Sequence, residues 1–477
     1  MHSTFGTAST SSQTSAAGAA DMSVLEEQID RLKSRLRLAI VFGGNKAAPG
    51  SVIYQSHNTR SWKSYEVVAQ DIADSLRRLG FRHVDLMPDD IRLGDRLRRQ
   101  GTHMAWLNSG GMQGYNPTAH APAMLEMMGV PYIGHDPFAA SMLDNKHAFK
   151  RAAVCAGIPT PAFITWHGER GPFRPQLNSR FKRAFGTYPG PFVVKPVSGR
   201  ASLNVHVVPD VASLADTIDE VYRLSENAVL IEQFLPGREV CIAVAGPIIA
   251  PGGRLFHSAS PFSFAALERV LGSDEKIFTS MDTKAITEHR LKVIDPDRDA
   301  KLLQDMRRLA HETYLEFNLS SIIRLDLRAD EAGKLYVLEA NPKPDLKKPA
   351  DGVTSLICAG LPEVGMEYDD LILSLFADRL HFLATHRRGV VRHLFDVMEQ
   401  PNLFDLLANS EPSTLTTSEE LPSLPAARQS VAEICDAAAD LNAQALNAAL
   451  AAARRSENAR AEQQADATDG SSGICAA

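Results

Sequence analysis

Apolar residues recur along this chain in two rhythms. Short apolar runs at Leu38-Ala-Ile-Val-Phe42, His103 to Leu107 and Pro131-Tyr-Ile133 read as strands. Between them, Trp62 to Gly80 places Val67, Val68, Ile72, Leu76 and Leu79 near 3.6-residue spacing, which predicts an amphipathic helix stopped by Gly80. A second helix is expected over Ala121 to Met128. This alternation predicts a small parallel α/β domain that closes near Gly134.

The middle of the chain changes rhythm. A helix is predicted across Ala139 to Ala156, then strands at Phe163 to Trp166, Phe192 to Val197 and Val205 to Val208. A helix near Leu214 to Leu224 and a strand at Val229 to Glu232 follow. From Gly237 to about Leu380, strands and helices alternate again, with strands at Ser321 to Leu327 and Lys334 to Leu338 joined by a turn through Asp330, Glu331 and Gly333. Both ends differ in character. Residues 1–22 are Ser/Thr/Ala-rich and read as disordered, ahead of a charged helical stretch from Leu25 to Arg37. The last hundred residues combine leucine-rich turns, a Ser/Thr/Pro stretch and an Ala-rich helix, as expected of an appendage that is part helical and part disordered.

Composition narrows the function. At 477 residues the chain exceeds one core, and 44% apolar residues suffice for two or three domains. The net charge of −7 and the lack of basic clusters interleaved with aromatics argue against nucleic acid as the partner. No apolar run reaches the length of a membrane span, and the N-terminus has no apolar signal core. Five scattered cysteines without C-x-x-C spacing suit reduced thiols in a cytoplasmic protein.

Candidate chemistry concentrates in four segments. Asp326, Glu339 and Asn341, on neighbouring strands, can converge as a hard-oxygen pocket suited to Mg²⁺, which usually arrives with nucleotide phosphates. Arg324, two residues before Asp326, shares its face and can reach anionic oxygens. A strand with a solvated acidic end is the competing reading. Lys195 leaves an apolar strand ahead of the small-residue loop Val197-Ser-Gly-Arg-Ala-Ser202 and can act as a point charge on phosphate; Lys146 in Asp144-Asn-Lys is a second candidate. Either lysine alone also reads as surface charge. In Val229-Leu-Ile-Glu-Gln-Phe-Leu-Pro-Gly-Arg-Glu239, the backbone of Gln233, Phe234 and Leu235 can read an adenine edge and Glu239 can hold ribose hydroxyls, unless this is an ordinary strand–turn.

In this order the segments resemble the ATP-grasp superfamily, and within it the D-alanine–D-alanine ligases, over roughly residues 37 to 377. Val194-Lys195-Pro196, Ile231 to Glu239, Arg324-Leu-Asp326 with Leu338 to Asn341, Leu125 to Gly134, and Asp144-Asn-Lys146 carry the likeness. The resemblance implies an α/β architecture: an ATP-grasp fold with an N-terminal parallel α/β (pre-ATP-grasp) domain and extensions at both ends. Its implied divisions are a tail and short helix over 1–36, the N-terminal domain over 37–135, an ATP-grasp domain over 136–377 and an extension over 378–477. The ATP-grasp domain would divide into a lid over 136–236 and a catalytic part over 237–377. It further implies that Lys146 and Lys195 contact ATP phosphates, that Glu232 with Gln233, Phe234 and Leu235 holds adenine, and that Glu239 holds ribose. Asp326, Glu339 and Asn341 would bind Mg²⁺ or Mn²⁺, and Arg324 would steady the carboxylate and its acyl phosphate. Partners would be small amino-acid-like substrates, with a homodimer suggested by the same resemblance.

The substrate half departs from that family. Its amino-group glutamate has a plausible counterpart in Glu66, whose position also suits the first turn of a helix. Of its Gly-Ser-Ser loop only Ser202 is kept, within Arg200-Ala-Ser202. Its His-Gly segment is replaced by Leu107-Asn-Ser-Gly-Gly, and its second-substrate serine by a segment containing Lys347 and Lys348, which either hold an anionic group or are solvated. Lys276 or Lys284 is the candidate for a further phosphate contact. The leading expectation is an ATP-dependent carboxylate–amine ligase acting through an acyl phosphate. A same-fold ligase with a non-amino-acid acceptor and an ATP-binding scaffold without turnover are the alternatives.

Overall fold

The computed structural model describes residues 11–273, 275–278, 284–387 and 394. Helix α1 (Ser11–Lys33) begins well before residue 22, where the composition predicts disorder. Met22, Leu25, Ile29 and Leu32 are buried along it, a spacing of three and four that builds one apolar face. The first sheet holds β1 (Arg37–Gly43), β2 (His83–Asp89), β3 (Met104–Asn108) and β4 (Tyr132–Ile133). All are parallel, in the order β2-β1-β3-β4. Helices α2 (Glu66–Arg78), α3 (Leu93–Arg99) and α4 (His120–Met128) make the connections. The sequence predicts α2 from Trp62; it starts at Glu66 because Tyr65 takes a left-handed conformation, φ 56° and ψ 18°.

Where the periodicity predicts one helix over Ala139 to Ala156, there are two, α5 (Pro137–Asp144) and α6 (Lys146–Cys155). Asn145 between them is extended, ψ 99°, and its side chain accepts from the Ala148 N–H at 3.0 Å, the role asparagine favours at a helix start. The break puts Lys146 on the first turn of its own helix, where its N–H donates to the Val197 carbonyl at 2.9 Å. Next comes an antiparallel sheet of β5 (Phe163–Trp166), β6 (Phe192–Pro196), β7 (His206–Val208) and β8 (Val229–Gln233), in the order β5-β8-β6-β7. Helices α7 (Ser179–Phe185) and α8 (Leu214–Ser225) complete its core, in which Phe173, Phe181, Phe185 and Phe192 meet at edge-on and tilted angles.

The third sheet is built on β9 (Glu239–Ala245), whose seven residues are all buried. A ribbon of β10 (Ile248–Ile249) and β11 (Phe256–His257) leads to β12 (Phe262–Ser263), which pairs with β9. Then β13 (Leu267–Arg269), β14 (Leu291–Val293), β15 (Ile323–Ala329) and β16 (Leu335–Asn341) complete the order β14-β13-β9-β15-β16. One core is shared by this sheet, α5, α6 and α9 (Ala300–Glu316). Finally α10 (Tyr368–His386), opened by a Glu367/Asp370 capping box, packs against α2 and β10. It runs through residue 378, where the resemblance places the start of an extension. The expected extension beyond 387 lies outside the described residues, apart from 394. No helix among the described residues is long and apolar enough to cross a membrane.

Candidate active site

Strands β15 and β16 pair antiparallel, with Arg324 opposite Asn341 and Asp326 opposite Glu339. The hairpin is held by Asp330, whose carboxylate accepts from the N–H groups of Ala332 at 3.0 Å and Lys334 at 2.9 Å. Both strands extend further than their apolar runs suggest, so Glu339 and Asn341 lie within β16 rather than beyond it. Side chains alternate along a strand, and Arg324, Asp326 and Arg328 therefore share one face of β15.

That face forms one wall of a cavity against the β5–β8 sheet. Lys146, Lys195, Ser202, Glu232, Gln233, Phe234, Leu235, Glu239, Asp326 and Glu339 all line it. Arg324 and Asn341 lie just outside, each joined to Asp326. Glu66 opens α2, exposed, and is not part of the lining. Lys276 is exposed; Lys284 is exposed and paired with Glu275 at 2.8 Å. Neither lysine lines the cavity.

Every carboxylate in the cavity is matched to cations. Glu232, buried at the end of β8, pairs with Lys195 on β6 and with Lys150 on α6 at 2.9 Å. Both oxygens of its side chain are thereby paired with lysines. Burial pushes the Glu232 carboxyl upward, but the two ammonium groups overcome this and hold it down at about 2. Lys150 is desolvated more than Glu232 compensates and falls to about 8. For Lys195 the balance goes the other way, since Glu232 and Glu339 outweigh burial and raise it. Lys150 also donates to Thr160 Oγ1 at 2.6 Å, which fixes its head group.

Asp326 is gripped from two sides. Arg269, at the end of β13, reaches it at 2.7 Å, and Arg324 donates to both its oxygens at 2.7 and 2.9 Å. Despite the desolvation of burial, the two guanidinium groups hold Asp326 far below the carboxylate range. Asn341 Nδ2 lies 3.2 Å from Asp326 and 3.5 Å from Glu339. Glu339 pairs with Lys146 at 3.1 Å, and this pairing with Lys195 and Arg324 nearby outweighs burial and lowers its carboxyl. Glu239 accepts from Arg269 at 3.0 Å and from Arg328 at 3.1 Å. The Arg328 guanidinium lies over the Phe234 ring, 4.6 Å from its centroid.

Three charged residues escape a sequence reading made segment by segment. Lys150 lies four residues after Lys146, one helical turn along the same face. Arg328 continues the alternation Arg324, Asp326, Arg328. Arg269 has no comparable signal, because only the pairing of β13 with β9 brings it to Asp326 and Glu239. Among the residues lining the cavity, Lys146, Lys195, Arg200, Arg269 and Arg328 outnumber Glu232, Glu239, Asp326 and Glu339, with Lys150 and Arg324 just behind them. The cavity is therefore suited to a polyanion.

Comparison with known proteins places the same chain segment beside a family of ligases. Residues 154–377 match the family model described as D-ala D-ala ligase C-terminus. The D-alanine–D-alanine ligase of Syntrophotalea carbinolica is 27% identical over 314 residues, covering 64% of this chain and 88% of that protein. That of Gloeobacter violaceus is 27% identical over 290 residues, covering 61% and 85% respectively. Among solved structures, the D-alanine–D-alanine ligase from Bacillus anthracis complexed with ATP superposes with a TM-score of 0.51 at 18% identity, over 72% of this chain and 97% of that one. The chain is therefore similar to the D-alanine–D-alanine ligases, shares their ATP-grasp fold, and is an enzyme of the ligase class.

Proposed function

We propose that this protein is an ATP- and Mg²⁺-dependent carboxylate–amine ligase that forms an amide bond through an acyl phosphate. The observation that carries the proposal is the in-register pairing of Arg324 and Asp326 with Asn341 and Glu339 at the end of a cavity lined by Lys146 and Lys195. Phosphates lie against the two lysines. The adenine edge meets the backbone of Gln233 to Leu235, while Glu232 keeps Lys195 charged and in place. Glu239 holds ribose hydroxyls while it remains tied to Arg269 and Arg328.

A hard cation suits the opposite end. Asp326 and Glu339 are ionised, the Asn341 amide is beside them, and all three are oxygen donors of the kind Mg²⁺ prefers. When bound, the metal supplies charge neutralisation between phosphate and carboxylate. Arg324 turns from Asp326 towards the substrate carboxylate. That carboxylate oxygen attacks the γ-phosphorus, ADP leaves, and an acyl phosphate forms. The amine then attacks the acyl carbon, loses its proton, and expels phosphate. Ser202, tied to the Phe278 carbonyl at 3.0 Å, closes the small-residue loop over the cavity and limits the access of water to the acyl phosphate. The loss of the family's usual features around Asn108 and Pro342 to Pro349 favours a substrate pair other than two D-alanines.

Incubation of the full chain with MgATP and panels of carboxylates and amines, read as phosphate release, tests the proposal. Turnover should require both substrates and should fall by about 10²–10³-fold in Glu339→Gln. Folded protein that releases no phosphate with any pair would overturn it.

A further inference from the structure

Positive charge is unevenly spread along this chain. Residues 145–209 carry ten Lys and Arg against one acid, Glu169, although the protein as a whole has a net charge of −7. Three of the ten, Lys146, Lys150 and Lys195, are paired with Glu232 and Glu339 around the first cavity. Three others gather elsewhere with a histidine. They line a groove of about 450 Å³ walled by α6, β5 and α7, which shares no lining residue with that cavity. Helix geometry divides the two sets. Lys146 and Lys150 stand one turn apart on α6, while His147 and Arg151, each the next residue, lie roughly 100° round the helix and line the groove. From the other wall come Arg180 and Arg183 of α7, three residues apart and so on one face. Phe163 of β5 marks the boundary: its ring takes the His147 ring edge-on at 6.0 Å and Lys150 Nζ at 5.6 Å.

No carboxylate answers the cations of the groove. Among the described residues, Arg151, Arg180 and Arg183 make no ion pair, and Glu169 is exposed and outside the lining. His147 Nδ1 is buried without a hydrogen-bond partner among the described residues. Burial lowers the His147 pKa, and Arg151, His167 and Arg180 lower it further, with no acid acting against them. A single exposed arginine needs no partner, but like charges gathered on one concave surface repel each other. An anion between them reverses that repulsion.

The arrangement also specifies the anion. Guanidinium forks match phosphate oxygens, and the cations stand in two sets, His147 with Arg151 on one wall and Arg180 with Arg183 on the other. Two phosphate groups can therefore each meet a cationic pair, and the volume is that of a small-molecule site. We propose that the groove between α6, β5 and α7 is a second anion site, separate from the catalytic cavity, for a small molecule carrying two or more phosphate groups. The assignment goes beyond the ligase reading and does not depend on turnover.

Calorimetric titration of the full chain with inorganic pyrophosphate, in magnesium-free buffer, tests it. Arg180→Gln combined with Arg183→Gln should weaken one binding component by about tenfold or more. Arg170→Gln combined with Lys182→Gln removes the same charge from exposed positions outside the lining, and should leave that component within about twofold. Lys146→Gln, in the first cavity, should leave it unchanged as well. Inorganic phosphate should bind the groove about tenfold more weakly than pyrophosphate. Urea midpoints check that each variant is folded, and Arg151→Gln, from the opposite wall, decides should the first pair fail to fold. Equal losses in the two double variants would reduce the groove to general surface charge and overturn the inference. Binding lost in Lys146→Gln alone would overturn it too, while the phosphate contacts of the ligase reading stand. Phosphate bound as tightly as pyrophosphate would overturn the ligand class. A wild type that binds pyrophosphate in the expected pattern but ligates no substrate pair would defeat the ligase reading and leave the groove assigned.

Discussion

Glu232 answers two lysines with one carboxylate, and its protonation is coupled to folding. Its carboxyl falls from an ordinary 4.5 to about 2 in the folded chain. The unfolded chain therefore takes up a proton first as pH drops. The stability this group supplies is complete above pH 4.5 and is lost as pH falls through 2, a contribution of ~3 kcal/mol. Glu232→Gln should lower unfolding stability at pH 7 by about that amount, leaving Lys150 and Lys195 buried without an anion. Urea unfolding of both proteins between pH 7 and pH 2 measures it. The gap between wild type and variant should narrow below pH 4.5, and a constant gap would show that Glu232 is not the titrating group. This pairing was not legible in the chain. Lys195 and Glu232 stand out as residues at strand ends, but their meeting with Lys150 depends on a tertiary contact between α6 and β8. Side-chain partners of that kind come from tertiary contact, which spacing does not record.

Elements were more legible than partners, for a physical reason. Strand alternation already places Arg324 and Asp326 on one face, and the turn residues around Asp330 already join β15 to β16. The two misread helices both fail at a single backbone position, Tyr65 and Asn145, where a left-handed or extended residue interrupts a continuous apolar rhythm. The N-terminal helix was misjudged differently: its charge was visible, but its role was not. Met22, Leu25, Ile29 and Leu32 join the core that includes α2 and α10, and Glu26 accepts from the Leu255 N–H at 2.8 Å beside β11. This ties α1 to α10 and to the segment before β11, so it acts as part of the fold. Leu32, 1% exposed, should cost about 2–5 kcal/mol when replaced by alanine. Urea midpoints at constant slope measure this, and a change below about 0.5 kcal/mol would make α1 an appendage after all.

Across the whole described chain, a single buried carboxylate joins the loop after β1 to the sheet that covers the cavity. Asp144, at the end of α5, accepts from Arg60 at 2.7 Å and from Ser198 Oγ at 2.6 Å. Around it, Asn227 donates to the Thr59 and Ser198 carbonyls, and Arg200 donates to the carbonyls of Ser61 and Trp62. The bonds of Asn227 and Arg200 to Thr59, Ser61 and Trp62 run from loops of the β5–β8 sheet to residues 59–62, and Ser198 is tied to Asp144 and Asn227, so together they hold the small-residue loop 198–204 over the cavity. Within the loop, Ser202 donates to the Phe278 carbonyl, and Ala201, Ser202 and Asn204 all carry positive φ, which holds it away from regular structure. Breaking a buried ion pair by removing one partner costs ~3–5 kcal/mol, enough to shift a closed arrangement towards an open one. Arg60→Met should therefore speed amide hydrogen exchange across 198–204 by tenfold or more, while exchange in β9, β15 and β16 stays unchanged. Under the ligase proposal, the same variant should raise the KM for ATP more than it lowers kcat, because an open loop weakens phosphate contacts before it alters the metal-binding end. Faster exchange spread evenly over all three sheets would instead assign the Arg60–Asp144 pair to global stability, and closure would have to depend on the bonds of Asn227, Arg200 and Ser202.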